Sequence, residues 1–196
     1  RFAAPALASL KDCALDDPRL PTPLFVIDSQ KLEKNLRRAK DRAAKLGVAF
    51  RPHLKTHKSI GIALRQMTTP QGPATVSTLA EARYFGARGV TDLIYAVGIA
   101  PQKLAEVSRL RSLGADIKII LDSAEAARAV SAFCRREKTT IPVLLEIDVD
   151  GHRSGIRPDG AELLPAAAAL ADGAELVGVL THAGDSYECK STAEIE

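Results

Sequence analysis

From Leu24 onward, short apolar runs rich in β-branched residues alternate with longer amphipathic segments rich in alanine and arginine. This alternation predicts consecutive parallel βα units. The predicted strands are Leu24–Ile27, Ala49–His53, Ala74–Ser77, Asp92–Val97, Asp116–Leu121, Ile141–Asp148 and Leu176–His182. The predicted helices are Ser29–Leu46, Ser59–Met67, Leu79–Gly86, Pro101–Leu113, Ser123–Lys138 and Gly160–Ala171. Capping residues mark several helix starts, namely Asp28 or Ser29 and Asp122 or Ser123.

Two predicted strands are apolar at nearly every position, Ile117–Leu121 and Val143–Ile147. Such strands need cover on both faces, as in parallel sheets, and a (β/α)8 barrel of the TIM type is the natural closure. The alternative is an open doubly wound sheet, but the first turn, Ile27–Gln30, lacks a G-x-G-x-x-G pattern. Seven units are one short of eight, so we expect an α/β barrel truncated after its seventh strand. Residues 1–21 are expected to be a lead-in segment and residues 22–196 the incomplete barrel domain.

The composition is that of an ordinary globular protein, with 196 residues, 46% hydrophobic and 26% charged. The formal net charge of +3 is small for this length and does not predict a broad nucleic-acid surface. Cys13, Cys134 and Cys189 are far apart and lack C-x-x-C spacing, which favours reduced thiols and no zinc site. The chain has no long apolar run and no recognisable leader, so we expect a cytoplasmic protein that does not bind membranes.

The stretch Arg51–Lys58, RPHLKTHK, is basic, carries two histidines and follows the apolar run Val48–Phe50. A lysine at the end of a buried strand can be desolvated, and neighbouring positive charge favours its neutral, nucleophilic form. Lys55 is therefore the candidate reactive amine. The alternative is a solvated basic loop, which would also suit phosphate or nucleic acid.

Polar residues follow several predicted strands at their carboxyl ends, which share one rim in a barrel. They are His53, Lys55 and His57; Ser77, Thr78 and Glu81; Asp148, Asp150, His152 and Arg153; and Thr181, His182, Asp185, Ser186 and Tyr187. Each residue has a plainer alternative, such as a solvated histidine or a structural partner of a carboxylate. Their convergence on one rim favours a functional site.

Five segments match a known family in order and spacing: TPLFVID with KLEKN, RPHLKTHK, TVSTLAEARYF, EIDVDGHRSG and THAGDSY. Over about Thr22–Tyr187 they resemble the fold-type III enzymes of pyridoxal 5'-phosphate (PLP) that include D-threonine aldolase, eukaryotic-type D-serine dehydratase and D-3-hydroxyaspartate aldolases or dehydratases. These enzymes are relatives of alanine racemase. The resemblance implies an eight-stranded barrel of the alanine racemase N-terminal domain kind, a following β domain that is missing from the printed chain, and a homodimer.

The resemblance also implies roles for single residues. Lys55 matches the lysine that carries the cofactor, with Lys58 as a supporting charge. Arg153 matches an arginine that donates to the phenolic oxygen of PLP. His182 matches a histidine lying against the pyridine ring, and Tyr187 a tyrosine touching the cofactor, expected at its phosphate.

We assign no metal ligands within this chain. The family implies a divalent metal ion (Mn²⁺, Mg²⁺ or Zn²⁺), but its ligands are expected beyond Glu196, as is the phosphate loop of the eighth strand. Asp148, His152, His182 and Asp185 offer an alternative set, which we do not assign. Asp185 also departs from the histidine or asparagine expected at its position.

The function implied by the resemblance is PLP-dependent lyase chemistry on a small D-amino acid. The favoured reaction is the aldolase cleavage of a D-3-hydroxy amino acid such as D-threonine to glycine and an aldehyde. The alternative is a D-serine or D-3-hydroxyaspartate dehydratase, which yields a keto acid and ammonia. A non-catalytic PLP carrier and an amino-acid racemase are further alternatives.

Overall fold

The computed structural model describes residues 13–195, which fall into two compact units that meet in sequence between Arg42 and Ala43. The regular element of the first unit is helix α1, Ser29–Lys45, which continues into the second. The helix begins where the sequence predicted, because the Asp28 carboxylate accepts a hydrogen bond from the Lys31 backbone N–H (3.0 Å). The predicted lead-in at residues 1–21 falls partly outside the described residues and stays a prediction.

The strand predicted at Leu24–Ile27 was wrong. The structure has no strand there, and the side chains of this run are exposed, Phe25 completely. An apolar run becomes a strand only when a neighbour pairs with its backbone. Among the described residues, 13–195, none forms a β-bridge with this run.

The second unit is built on a five-stranded parallel sheet whose strand order follows the sequence. The strands are β1 (Ala74–Val76), β2 (Asp92–Gly98), β3 (Asp116–Leu121), β4 (Ile141–Ile147) and β5 (Ala174–Thr181). The helices are α2 (Ile60–Gln66), α3 (Leu79–Gly86), α4 (Leu104–Ser112), α5 (Ala124–Glu137) and α6 (Leu163–Ala168). A 3₁₀ turn, Pro101–Lys103, precedes α4. Five of the seven predicted strands are therefore present.

The strand predicted at Ala49–His53 is reduced to a single bridge between His53 and Thr75. Thr75 donates to the carbonyl of Pro52 (2.9 Å), and Leu54 donates to the carbonyl of Thr75 (2.9 Å). Because Pro52 has no N–H, the ladder cannot be extended through it. The segment thus lies beside β1 without forming a strand, so the prediction was wrong about the strand.

The core lies between the sheet and its helices. Ile119, Ile120 and Leu121 are consecutive and all buried, so β3 is covered on both faces as its apolar sequence predicted. The cap predicted at Ser123 is present, because its hydroxyl accepts from the N–H of Ala126 (3.2 Å). Thr78, which was not predicted as a cap, accepts from the N–H of Glu81 (3.0 Å) at the start of α3. Within residues 13–195, no helix is long and apolar enough to span a bilayer.

Candidate active site

A cavity of about 550 Å³ opens at the carboxyl ends of the strands, within the ~300–1,000 Å³ range of small-molecule sites. The residues that line it are Arg51, His53, Lys55, Thr75, Ser77, Ala96, Val97, Gly98, Glu146, Arg153, Ser154, Leu180, Thr181 and His182. Lys55, Arg153 and His182, three of the four predicted site residues, lie on its wall. The strand-end argument therefore leads to the edge of the sheet at which this cavity opens.

Lys55 itself does not sit at the end of a buried strand, so the desolvation expected from such a strand is absent. The residue is exposed, whereas the preceding Leu54 is completely buried. Leu54 therefore anchors the segment and leaves the Lys55 amine accessible from the cavity. Lys58, expected as a supporting charge, contacts a carboxylate: its Nζ lies 3.4 Å from Oε1 of Glu81.

The two histidines of the RPHLKTHK segment are partly buried and bonded, not solvated. Nδ1 of His53 accepts from the backbone N–H of Lys55 (3.3 Å), and its Nε2 lies 3.2 Å from the Ser77 hydroxyl. Burial lowers the pKa of His53, and the positive charge of Lys55 lowers it further. Both effects favour the neutral form of His53 beside the candidate reactive amine.

The loop after β4 places Arg153. Asp148 Oδ1 accepts from the N–H groups of Asp150 (3.1 Å) and Gly151 (2.9 Å), which turns the chain back on itself. The return is tight at Gly155, whose φ is +124°, because a Cβ there would lie 2.5 Å from the Asp148 nitrogen. Only glycine fits this approach, so the turn fixes where Arg153 emerges.

The loop after β5 packs against the same arginine. Asp150 Oδ2 accepts from the backbone N–H groups of Gly184 and Asp185, which ties the two loops together. A Cβ on Gly184 would lie 2.9 Å from Arg153 Cδ, so the guanidinium stem crosses directly over this glycine. Arg153 thereby lies against Gly184, and His182 is two residues before this glycine.

Tyr187 is not on the cavity wall; its side chain is exposed. Its ring packs edge-on against that of His182, with centroids 6.0 Å apart and an interplanar angle of 83°. Its expected contact with the cofactor phosphate is untested and stays a prediction.

Sequence reasoning did not single out several of the cavity residues, among them Arg51, Glu146 and Ser154. Glu146 is 5% exposed; its Oε1 accepts from the Ser154 hydroxyl (2.9 Å), and among the described residues its Oε2 has no hydrogen-bond partner. A charged residue inside the apolar run VLLEI was the available signal. Arg51 donates to the Ala74 carbonyl (3.1 Å) and contacts the Asp92 carboxylate (2.8 Å).

Asp150, His152 and Asp185 offer ligand atoms within 4.8 Å of one another. The set considered from the sequence also contained Asp148 and His182. Asp148 instead accepts hydrogen bonds within its own turn, and His182 lines the cavity. His152 Nε2 lies 3.3 Å from Asp185 Oδ1, so a direct contact between two exposed side chains brings these atoms together. None of the three lines the cavity, and they do not fit a metal ion acting on a ligand there.

The cavity does fit a polar, anionic ring compound. It combines the amine of Lys55 and the guanidinium of Arg153 with two buried polar atoms that lack partners within residues 13–195, His182 Nδ1 and Glu146 Oε2. Buried polar atoms are rarely left unpaired, so a ligand with both donors and acceptors suits this wall.

The fold and the cavity place this chain among α/β proteins that bind small molecules at the carboxyl ends of parallel strands. The family described as "Alanine racemase, N-terminal domain" matches residues 27–196, and the chain belongs to it. This family is PLP-dependent, as the sequence motifs predicted.

Three known proteins illustrate the similarity. D-threo-3-hydroxyaspartate dehydratase of Delftia sp. strain HT23 is 47% identical over 171 residues, covering 86% of this chain and 45% of the relative. Its solved structure superposes with a TM-score of 0.84 at 44% identity, covering 90% of this chain and 47% of that one. D-threonine aldolase of Arthrobacter sp. is 35% identical over 146 residues, covering 74% and 38%. The chain thus spans about half the length of the curated relatives it matches.

Proposed function

We propose that this protein is a PLP-dependent lyase acting on a D-3-hydroxy amino acid, with the cofactor attached to Lys55. The observation that carries the proposal is the single cavity onto which Lys55, Arg153 and His182 converge from three separate segments. The membership of a PLP-dependent family and the similarity to named dehydratases and aldolases support it.

Each residue has a role that its position supports. Lys55 supplies the amine that would hold the cofactor and, once released, would take a proton from the substrate. Arg153 presents a rigid fork of donors, suited to an anionic oxygen in a partly dry pocket. The ring of His182, backed by Tyr187, offers a flat wall against which the pyridine ring would rest. PLP bound there would act as an electron sink for bonds broken at the α carbon.

We propose dehydration as the reaction, because a D-3-hydroxyaspartate dehydratase shares 47% of the aligned residues. Lys55 would remove the α proton, the 3-hydroxyl group would leave as water, and hydrolysis would give a keto acid and ammonia. Aldolase cleavage, which the sequence analysis favoured, is the second candidate, supported by the 35% identity to a D-threonine aldolase. It would require removal of the hydroxyl proton instead.

Product analysis separates the candidates. D-threo-3-hydroxyaspartate and D-threonine would be incubated with the PLP-loaded protein: a keto acid with ammonia supports dehydration, and glycine with an aldehyde supports aldol cleavage. Racemised substrate, or unchanged substrate with bound PLP, would overturn the lyase proposal.

Attachment at Lys55 is tested separately. We expect Lys55→Ala to lose the visible absorption band of lysine-bound PLP and the borohydride-trapped adduct at this residue. Lys45→Ala, at the exposed end of α1, is the matched control and should keep both. An adduct on another lysine in the unmodified protein would refute the assignment.

The expected homodimer, cytoplasmic location and divalent metal ion remain proposals. Light scattering of the purified protein tests the first, and cell fractionation the second. Metal analysis of the protein before and after chelation tests the third.

A further inference from the structure

His53 and His57 flank Lys55, and each makes the same two contacts. Nδ1 of His53 accepts from the N–H of Lys55 (3.3 Å), and Nδ1 of His57 accepts from the N–H of Ser59 (3.0 Å). In each case the donor is two residues further along the chain. Each Nε2 reaches a side chain elsewhere in the fold: the Ser77 hydroxyl (3.2 Å) for His53 and Gln66 Oε1 (3.0 Å) for His57.

These contacts select one tautomer for the neutral form of each ring. A backbone N–H can only donate, so each Nδ1 must carry a lone pair and each neutral ring must carry its proton on Nε2. Gln66 Oε1 and the Ser77 oxygen can both accept that proton.

The backbone around Lys55 needs such partners. Leu54 is the last residue of the segment whose N–H bonds to β1, at the Thr75 carbonyl, so the N–H groups that follow it bond to other partners. The N–H of Lys58 bonds to the Leu54 carbonyl (3.0 Å), and those of Lys55 and Ser59 bond to the histidine rings. The two rings therefore accept hydrogen bonds from backbone N–H groups, as a neighbouring strand would in a sheet.

We propose that His53 and His57 are positioning residues that hold the backbone on both sides of Lys55 through their Nε2-protonated tautomers. The proposal rests on the assignment of Lys55 as the cofactor-bearing lysine. An exposed lysine side chain has many rotamers, so a fixed backbone is what would confine its amine to the mouth of the cavity. Neither histidine needs to exchange a proton with the substrate.

For His53 this arrangement depends on pH. The charged and titratable groups that face it are Lys55, Glu81 and His182, and burial together with Lys55 lowers its pKa. Protonation of Nδ1 would remove the acceptor for the Lys55 N–H and place a second positive charge beside the amine. Acid would therefore release the Lys55 backbone.

The tautomers are tested on the unmodified protein. We would label histidines with ¹⁵N and record the ring nitrogen shifts at neutral pH. We expect His53 and His57 to show an unprotonated Nδ1 and a protonated Nε2. A protonated Nδ1 on His53 or His57 would overturn the proposal.

The positioning role is tested by amide hydrogen exchange at Lys55. His53→Ala should speed exchange there by about fivefold, the effect of losing one hydrogen bond of typical strength. His53→Asn should restore slow exchange, because an asparagine carbonyl accepts from the N–H two residues on. Thr56→Ala, at an exposed position between the histidines, is the matched control. Equal exchange in His53→Ala and Thr56→Ala would overturn the role.

Failure of this proposal is distinguishable from failure of the proposed function. Borohydride trapping of PLP on Lys55 reports on the function, and the tautomers and amide exchange report on the histidines. PLP trapped on Lys55 with unaltered exchange in His53→Ala would overturn only the positioning role. Altered exchange without any trapped PLP would overturn the function on which that role rests.

Discussion

Replacing Gly155 by alanine would test whether backbone geometry fixes the loop that carries Arg153. Gly155 has φ +124°, and an added Cβ would lie 2.5 Å from the Asp148 nitrogen and 2.7 Å from the Ile147 carbonyl carbon. Both neighbours are backbone atoms and cannot move by changing rotamer. The loop must therefore shift, which endangers the hydrogen bonds Asp148 N–H to Ile156 O (3.0 Å) and Ile156 N–H to Glu146 O (2.8 Å).

The expected cost follows from these contacts. The strained φ alone costs about 1–2 kcal/mol for a residue with a Cβ, and each lost hydrogen bond adds about 1 kcal/mol. Gly155→Ala should therefore lower the free energy of unfolding by about 2–4 kcal/mol. Gly89→Ala is the matched control, since Gly89 also has a positive φ (+90°) but nothing lies within 4 Å of its added Cβ. It should lose only about 1–2 kcal/mol.

Urea unfolding followed by circular dichroism measures both values. PLP titration of the folded variants gives a second measurement, because a shifted loop moves Arg153 and should weaken cofactor binding in Gly155→Ala but not in Gly89→Ala. Equal losses of stability in the two variants would refute the role of the close approach. Normal PLP affinity in a destabilised Gly155→Ala would show that Arg153 is placed by other contacts.

Three further predictions concern stability. Ser131→Ala should cost about 1–3 kcal/mol in urea unfolding. The buried hydroxyl accepts from the Ala171 N–H (3.0 Å), and its one proton can go to the carbonyl of Ala127 (3.0 Å) or of Ala169 (2.8 Å). Ser112→Ala, at an exposed position, is the control. Arg51→Met should cost about 1–3 kcal/mol, since Asp92 loses its guanidinium partner; no change would show that this contact is not stabilising. Stability should fall as pH drops below about 6.5, because the lowered pKa of His53 lets the unfolded chain take up the proton first. His53→Asn should reduce that loss, as measured by urea midpoints near neutral and mildly acidic pH.

The helices could be predicted from sequence because their signals are local. Ser123 accepts the expected backbone hydrogen bond, and α3 has the predicted bounds. The strands could be predicted only where a partner exists. Leu24–Ile27 and Ala49–His53 have strand-like composition. A strand also needs a second segment that pairs with its backbone, and the sequence of one segment does not show whether such a partner exists.

The site was predictable to the extent that parallel strands bring their carboxyl ends together. That rule and the resemblance put Lys55, Arg153 and His182 near one another, and the cavity contains all three. The contacts of His53 and His57 could not be predicted, because they depend on rotamers and on the bridge between His53 and Thr75. Histidines in a basic loop are more often solvated, and nothing in the letters RPHLKTHK distinguishes the two cases.

Glu146 shows how one residue can matter to both the fold and the site. It occupies a strand position where an apolar residue would pack at no desolvation cost, yet it is a carboxylate with one partnered oxygen and one buried oxygen that lacks a partner among residues 13–195. Such a group destabilises the protein unless a ligand supplies a donor. Glu146→Gln should therefore keep or raise stability without PLP and weaken PLP or substrate binding. Stronger binding in Glu146→Gln, measured by titration of the visible absorption band, would show that the buried oxygen faces no donor in the loaded site.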